Sequence, residues 1–159
     1  MKVRTGFGYD VHRLEIGLPF RIGGVEIQSE KGAVGHSDAD VLIHAICDAL
    51  LGAAALRDIG YHFPDSSSEF KGIDSRILLK KTFELISAKG YKLGNLDSTV
   101  CLQEPKISSR IPEMITEISS ILCTEEENVS VKATTTEKLG FIGKGEGISA
   151  FATVLIVQD

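Results

Sequence analysis

The stretch Ile148-Ser149-Ala150-Phe151-Ala152-Thr153-Val154-Leu155-Ile156-Val157 decides the fold class. It is rich in β-branched residues, free of Gly and Pro, and reads as a strand. With period-2 alternation, Ile148, Ala150, Ala152, Val154 and Ile156 fall on one face and Phe151, Leu155 and Val157 on the other. Both faces are apolar, so both are expected to be buried. Three helices, as many as the pattern upstream supports, would cover one face of a four- or five-stranded sheet. The second face is then covered within the chain or packs against another subunit.

Working back from that strand, Val129 to Thr135 and Lys92 to Gln103 read as further strands, separated by a helix over Ile107 to Leu122 that is entered through Pro105. Thr124 to Glu127 resembles a capping box. A second helix is capped by Asp74, runs through Ile77, Leu78, Lys81, Phe83 and Ile86, and closes at Gly90, in the position that favours positive φ. Ahead of it, Arg57 to Gly72 carries turn residues and no period, as expected of a loop that covers a substrate. Val41, Leu42, Ala45, Ile46, Ala49, Leu50 and Ala53 recur at helical spacing, with Ser37 or Asp38 placed as the cap. Val3 to Leu14 and Phe20 to Ile27 read as an opening hairpin with a bulge at Gly23 and Gly24. No linker, repeat or low-complexity tract intervenes, so residues 1–159 read as one α+β domain with a mixed four- to five-stranded sheet and about three helices on one face.

The composition, 43% hydrophobic and 25% charged over 159 residues, excludes a disordered or collagenous chain. A chain of this length buries about 70% of the surface it exposes when unfolded, so no disulfide or structural metal is needed to hold it together. Any metal is expected to serve chemistry. A net charge of −5 argues against nucleic acid as a partner, because phosphate counterions are displaced by basic surfaces. An anionic small molecule can still bind where a metal or backbone N–H groups outweigh the net charge. Cys47, Cys101 and Cys123 form no CxxC pair and read as core thiols in a reducing compartment. The N-terminus lacks a signal-like apolar region, and no run approaches the ~18 apolar residues of a membrane span. A soluble protein that is not secreted and has no membrane partner is expected.

Several residues could carry chemistry. Asp10 and His12 point to one face of the first strand, with Val11 on the other. His44, one turn after Asp40 on the first helix, completes an Asp/His/His set if that helix packs over the strand end. Three protein ligands leave a tetrahedral position open, as a catalytic zinc needs. Each histidine taken alone, His36 and His62 included, is more often a surface or hydrogen-bonded core residue. The segment Gly35 to Asp40 lies at a helix N-terminus, where N–H groups favour an anion and His36 could donate to a phosphate. Ser37 and Asp38 could equally be plain caps. Thr134, Thr135, Thr136 and Glu137 lead from a strand end into a loop with Gly140, Gly143, Gly145 and Gly147, a setting that suits phosphate. A carboxylate such as Glu137 prefers Mg²⁺ or Mn²⁺, whereas imidazoles prefer Zn²⁺. Leu102 to Ile107 leaves a strand through Pro105 and could read a base edge, or be a simple strand-to-helix turn.

Taken together in this order, GFGYDVHRL (6–14), IGGVEI (22–27), HSDADVLIHAICDALLGAAALRDIG (36–60), FPD (63–65), KGIDSRILL (71–79), KGYKLGNLD (89–97), EPKI (104–107), VKATTTEKLGF (131–141) and GKGEGISA (143–150) resemble the 2-C-methyl-D-erythritol 2,4-cyclodiphosphate synthase family of the non-mevalonate isoprenoid pathway. The resemblance runs nearly end to end. It implies a homotrimer with the second sheet face packed about a threefold axis and active sites between subunits. It also implies a cytidine diphosphate substrate, whose 2-phosphate attacks the β-phosphorus and expels CMP.

Residue by residue, the resemblance makes Asp10, His12 and His44 ligands of Zn²⁺ and Glu137 the holder of Mg²⁺ or Mn²⁺. His36 and Thr135 would stabilise the transition state, with Ser37 beside them. Asp58, Gly60, Phe63, Pro64 and Asp65 would receive the methylerythritol hydroxyls. Leu102, Pro105, Lys106, Ile107, Ser108, Thr134 and Thr136 would form the cytidine diphosphate site, with Phe141 close by in the same motif. Where members commonly carry Arg, this chain has Lys144, which offers a point charge at the central cavity without a bidentate fork. Localisation is expected to be a bacterial cytoplasm, or a plastid stroma. Two other readings fit the residues without the resemblance: a zinc-dependent phosphohydrolase using bound water, and a trimer that sequesters a nucleotide or isoprenoid diphosphate.

Overall fold

The structure, a computed structural model, describes residues 1–158. Its centre is the strand already singled out, β7 (Gly147–Gln158), flanked by β1 (Lys2–Ile16) and β5 (Lys92–Cys101), both antiparallel to it. β6 (Val129–Thr134) adds in parallel to β5, and β4 (Lys31–Ala33) adds antiparallel to the far end of β1, giving the order β4-β1-β7-β5-β6. This is the expected mixed sheet, with five strands. Three helices of more than ten residues stand on one side: α1 (Val41–Ala53), α3 (Ser75–Ala88) and α4 (Ile111–Ile121). Two four-residue helices, α2 (Ile59–His62) and α5 (Gly140–Gly143), lie in the connections.

The contact between α1 and the sheet positions the site. Gly6 and Gly8 of β1 face the helix, and a Cβ on either would lie 1.9 Å from a helix carbonyl, Ala49 O or Ala45 O. The missing side chains let the helix backbone rest directly on the strand. Ala45, Ala49 and Ala53, spaced by one turn, step along those glycines and are buried. The Arg4 guanidinium donates to the carbonyl of Ala53, at the end of the helix. One strand period beyond Gly8 come Asp10 and then His12, on the same face and under the first turn of α1.

The helix carries buried side chains around nearly its whole circumference because α3 packs on its outer side. α3 ends as the sequence predicts. Gly90, at φ 81°, donates to Ser87 O, and Tyr91 N donates to Ile86 O, the two bonds of a Schellman motif.

Several local expectations are corrected. Phe20 to Ile27 does not pair with β1; it folds on itself as β2 (Arg21–Ile22) and β3 (Val25–Glu26), with Gly23 and Gly24 as the turn rather than a bulge. The cap of α1 is neither Ser37 nor Asp38 but Asp40, whose carboxylate accepts from Ile43 N at 3.1 Å, Gly23 N at 2.9 Å and Gly24 N at 2.7 Å. The anion at this helix N-terminus is therefore the chain's own buried carboxylate, which also anchors the β2–β3 turn. α4 starts at Ile111, after a 3₁₀ turn over Ser108–Arg110, because Pro112 lacks an N–H and belongs in a first turn. Thr124 caps nothing: it accepts from Asn128 Nδ2 at 3.0 Å beside a 3₁₀ turn, Glu126–Asn128. The Arg57–Gly72 loop contains α2 and a 3₁₀ turn (Ser68–Phe70). Cys47 and Cys101 are buried, and burial pushes the Cys47 thiol up to about 12, but Cys123 is exposed just past α4.

The second face of β7 is not covered within the chain. Phe151 is 37% exposed, beside Phe7 at 64% and Tyr9 at 45% on β1, and the rings of Tyr9 and Phe151 stand 5.0 Å apart. Val3 and Val11 extend the same exposed apolar face. No helix is long and apolar enough to cross a membrane among the described residues.

Candidate metal centre

Where α1 meets the end of β1, three side chains converge. Asp10 Oδ2 lies 3.0 Å from His12 Nε2 and 3.1 Å from His44 Nδ1, and the two ring nitrogens are 3.2 Å apart. Ligands about 2.05 Å from a tetrahedral zinc are separated by about 3.3 Å, so the triangle matches three corners of such a shell. The donor set, one carboxylate and two imidazoles, suits the same ion. Among the described residues this is the one group of three or more whose ligand atoms converge in this way.

The electrostatics agree. Burial alone would raise the Asp10 carboxyl, but the two imidazoles outweigh it and hold the pKa at about 2. Burial likewise opposes charge on His44, and the carboxylates of Asp10, Asp40 and Asp38 reverse that and raise its pKa. The site is an anionic pocket in low dielectric, which favours a cation.

A cavity of about 330 Å³ opens over the triad. His36, Ser37, Gly60, Phe63 and Asp65 line it, with Asp10, His12 and His44 at its floor. Ser37 Oγ is 3.1 Å from His44 Nε2, and His36 Nε2 donates to Ser67 O at 3.3 Å. Pro64 lies between the lining residues Phe63 and Asp65, and Asp58 is the residue just before α2. Phe63 stacks edge-on against Phe70 at 5.5 Å. His62 takes no part: its Nε2 donates to Leu56 O at 2.7 Å.

A second cavity, about 740 Å³, holds Pro105, Lys106, Thr135 and Lys144, with Lys31, Gln103 and Lys138. Leu102 and Ile107, next to its lining residues in sequence, are buried, whereas Ser108 and Thr134 are exposed and Thr136 is half-buried. The Thr134–Glu137 turn holds itself: Thr135 Oγ donates to Glu137 Oε1 at 3.2 Å, and Thr136 Oγ to Leu139 O at 2.7 Å. Phe141 lies against Gly147, which a Cβ would drive into its ring.

The two cavities are separate within one chain. Sheet register places His12 opposite Ile148, Ser149 opposite Cys101, and Cys101 opposite Thr134. Three strand spacings, roughly 14 Å, therefore lie between the triad's strand and the strand leading to Glu137.

Sequence reasoning missed two residues here, Ser75 and Asp48, and read a third, Asp38, only as a cap. Ser75 Oγ is 2.9 Å from His44 Nε2, and Asp38 accepts from that same hydroxyl. Asp48, one turn beyond His44, accepts from Ile59 N at 2.7 Å and so ties the Asp58–Phe63 segment to α1. The one available signal was spacing: Asp48 follows Asp40 and His44 at four-residue intervals on the same helix.

The fold and site define an α+β protein with a candidate metal centre of one carboxylate and two imidazoles. The chain belongs to the YgbB family, whose model matches residues 3–157. It is 62% identical over 156 residues to the 2-C-methyl-D-erythritol 2,4-cyclodiphosphate synthase of Phocaeicola vulgatus, covering 98% of each chain. Among solved structures, the bifunctional IspDF of Campylobacter jejuni superposes with a TM-score of 0.94 at 41% identity, over 98% of this chain but 42% of that longer one. IspF of Plasmodium falciparum, in a CDP complex, gives a TM-score of 0.87 at 38% identity, over 99% of this chain and 97% of that one.

Proposed function

We propose that this chain converts 4-diphosphocytidyl-2-C-methyl-D-erythritol 2-phosphate into 2-C-methyl-D-erythritol 2,4-cyclodiphosphate and CMP. The observation that carries the reading is a compact Asp10/His12/His44 triangle in a chain 62% identical, end to end, to a synthase of that name. An oxygen of the 2-phosphate bonds to the β-phosphorus. The bond from that phosphorus to the α,β-bridging oxygen breaks, and the bridging oxygen leaves with CMP. The attacking group is already an anion, so no general base is required.

The residues serve positioning and charge. Asp10, His12 and His44 would hold Zn²⁺, and Glu137, an exposed hard carboxylate, would hold Mg²⁺ or Mn²⁺ at the α- and β-phosphates. Bound at these positions, the cations supply the positive charge that offsets the crowded phosphate oxygens. His36 and Thr135 donate to those oxygens as charge develops. Asp58, Gly60 and the Phe63–Asp65 segment receive the methylerythritol hydroxyls. Leu102, Pro105 to Ser108, Thr134 and Thr136 form the cytidine diphosphate subsite, a reading supported by the CDP complex of the Plasmodium falciparum relative.

Because roughly 14 Å of sheet separates the two halves within one chain, a neighbouring copy would bring its Glu137 turn to this chain's triad. The exposed Phe7, Tyr9 and Phe151 face supports a homotrimer as the assembly that does so. The whole chain, residues 1–159, is the synthase domain, and the bacterial relatives support a cytoplasmic location.

Phosphorus NMR of the protein incubated with that substrate, Zn²⁺ and Mg²⁺ tests the reading. CMP together with a cyclic diphosphate is expected. A 2,4-bisphosphate, two phosphate monoesters with no P–O–P bond, would assign the site to a hydrolase, and unchanged substrate would assign it to a binding protein.

A further inference from the structure

The geometry points to a positioning relay, Asp38–Ser75–His44, that sets the tautomer and aim of the His44 ring. It rests on the metal-site reading above. Ser75 opens α3 and is fully buried, with its Oγ 2.9 Å from His44 Nε2. The same hydroxyl is hydrogen-bonded to Asp38 Oδ1, and Asp38 Oδ2 accepts from Ser75 N at 3.0 Å.

The direction of each bond follows from the inventory of protons. An ionised carboxylate only accepts, so the single hydroxyl proton of Ser75 is committed to Asp38. The oxygen then turns lone pairs toward His44, and Nε2 must carry the proton between them. In the neutral ring, Nδ1 is left with its lone pair directed at Asp10 and His12. The opposite tautomer would face an Nε2 lone pair with the oxygen lone pairs of Ser75 at 2.9 Å.

Asp38 is itself held. Its N–H donates to Ile73 O at 3.0 Å, and its carboxylate also accepts from Asp40 N at 3.3 Å. Ala39, between the two aspartates, sits at φ 57°, a left-handed conformation that L residues other than Asn and Asp rarely adopt. The loop thus directs Asp38 toward α3 while Asp40 caps α1. Ser37 Oγ, 3.1 Å from the same ring nitrogen, already accepts from Ala39 N and offers His44 a second acceptor. A carboxylate behind a metal-bound imidazole is a known way to orient the ring and raise its basicity; here a hydroxyl is interposed.

The test uses Co²⁺ as a spectroscopic probe, with affinity measured by chelator competition on the metal-free chain. Wild type is expected to bind Co²⁺ at the triad with the intense visible bands of a tetrahedral site, and His44→Ala to abolish them. Ser75→Ala and Asp38→Asn should each weaken binding by roughly 10–100-fold and shift those bands. The double variant should be no weaker than either single one, because the two residues act in series. Equal affinity and an unchanged spectrum in Ser75→Ala would overturn the relay, as would full additivity in the double variant. Should Ser75→Ala fail to fold, Asp38→Asn, which keeps the hydroxyl, carries the same comparison. A wild-type chain with no Co²⁺ bound at the triad would instead overturn the metal-site reading on which the relay rests.

Discussion

His44→Ala is expected to lower CMP release by about 10³-fold or more, since the charge lost from the phosphates is worth several kcal/mol. The variant removes one corner of the triangle that Asp10 and His12 complete at 3.0 to 3.2 Å. Two remaining ligands do not hold the ion firmly, and the carboxylates around the site are left without their compensating cation. The fold should survive, because the helix that carries His44 is anchored elsewhere by its alanine contacts to Gly6 and Gly8 and by the Asp40 cap. Zinc should raise the melting temperature of wild type and leave that of the variant unchanged, as linkage between binding and folding requires. Calorimetry with and without zinc, paired with a CMP assay, checks both halves. CMP release at the wild-type rate would remove the triad from the reaction.

The second large effect is structural and reaches the site through the fold. Gly8→Ala places a Cβ 1.9 Å from Ala45 O, where nothing can yield except the helix backbone itself. The expected cost is about 3 kcal/mol or more, which corresponds to a fall of roughly 6–12 °C in melting temperature. Lifting α1 away from β1 also separates His44 from Asp10 and His12, so zinc affinity should fall with stability. Gly52→Ala is the contrast, on the same helix. No atom lies within 4 Å of its Cβ, and replacing a helical glycine should add about 0.5–1 kcal/mol. Thermal melts of the two variants side by side check the packing argument. Equal melting temperatures would contradict it.

These two predictions mark how far the sequence could be read. The central strand was legible because period-2 alternation is a strong local signal, and so was α1, whose apolar repeat runs the length of the helix from Val41 to Ala53. The convergence of Asp10 and His12 followed from the same alternation. What was not legible depends on contacts between segments distant in sequence. Gly23 and Gly24 resembled a bulge because nothing local announces that their N–H groups close on the Asp40 carboxylate. That bond in turn makes Asp40 the cap, although Ser37 and Asp38 are as good by residue type. Ser75 was invisible for a related reason. It follows a clear helix cap, Asp74, and its role appears only when α3 folds against the first turn of α1.

The burial of β7 shows the other limit. Alternation identified two apolar faces, and the chain covers one of them with α1. The other carries Phe151 beside Tyr9 and Phe7 and stays open within a single copy. An apolar pattern reports that a face leaves water without reporting what covers it. The separation of the Glu137 turn from the triad has the same origin, since strand order is set by pairing across the whole chain.

The central claim is that the nucleophile is the substrate's own 2-phosphate, held against the β-phosphorus by this site. Turnover in water enriched in oxygen-18, followed by mass spectrometry of both products, tests it most directly. No label is expected in CMP and none in the cyclic diphosphate. Label in the phosphate of either product would show that water attacks phosphorus, and would contradict the account.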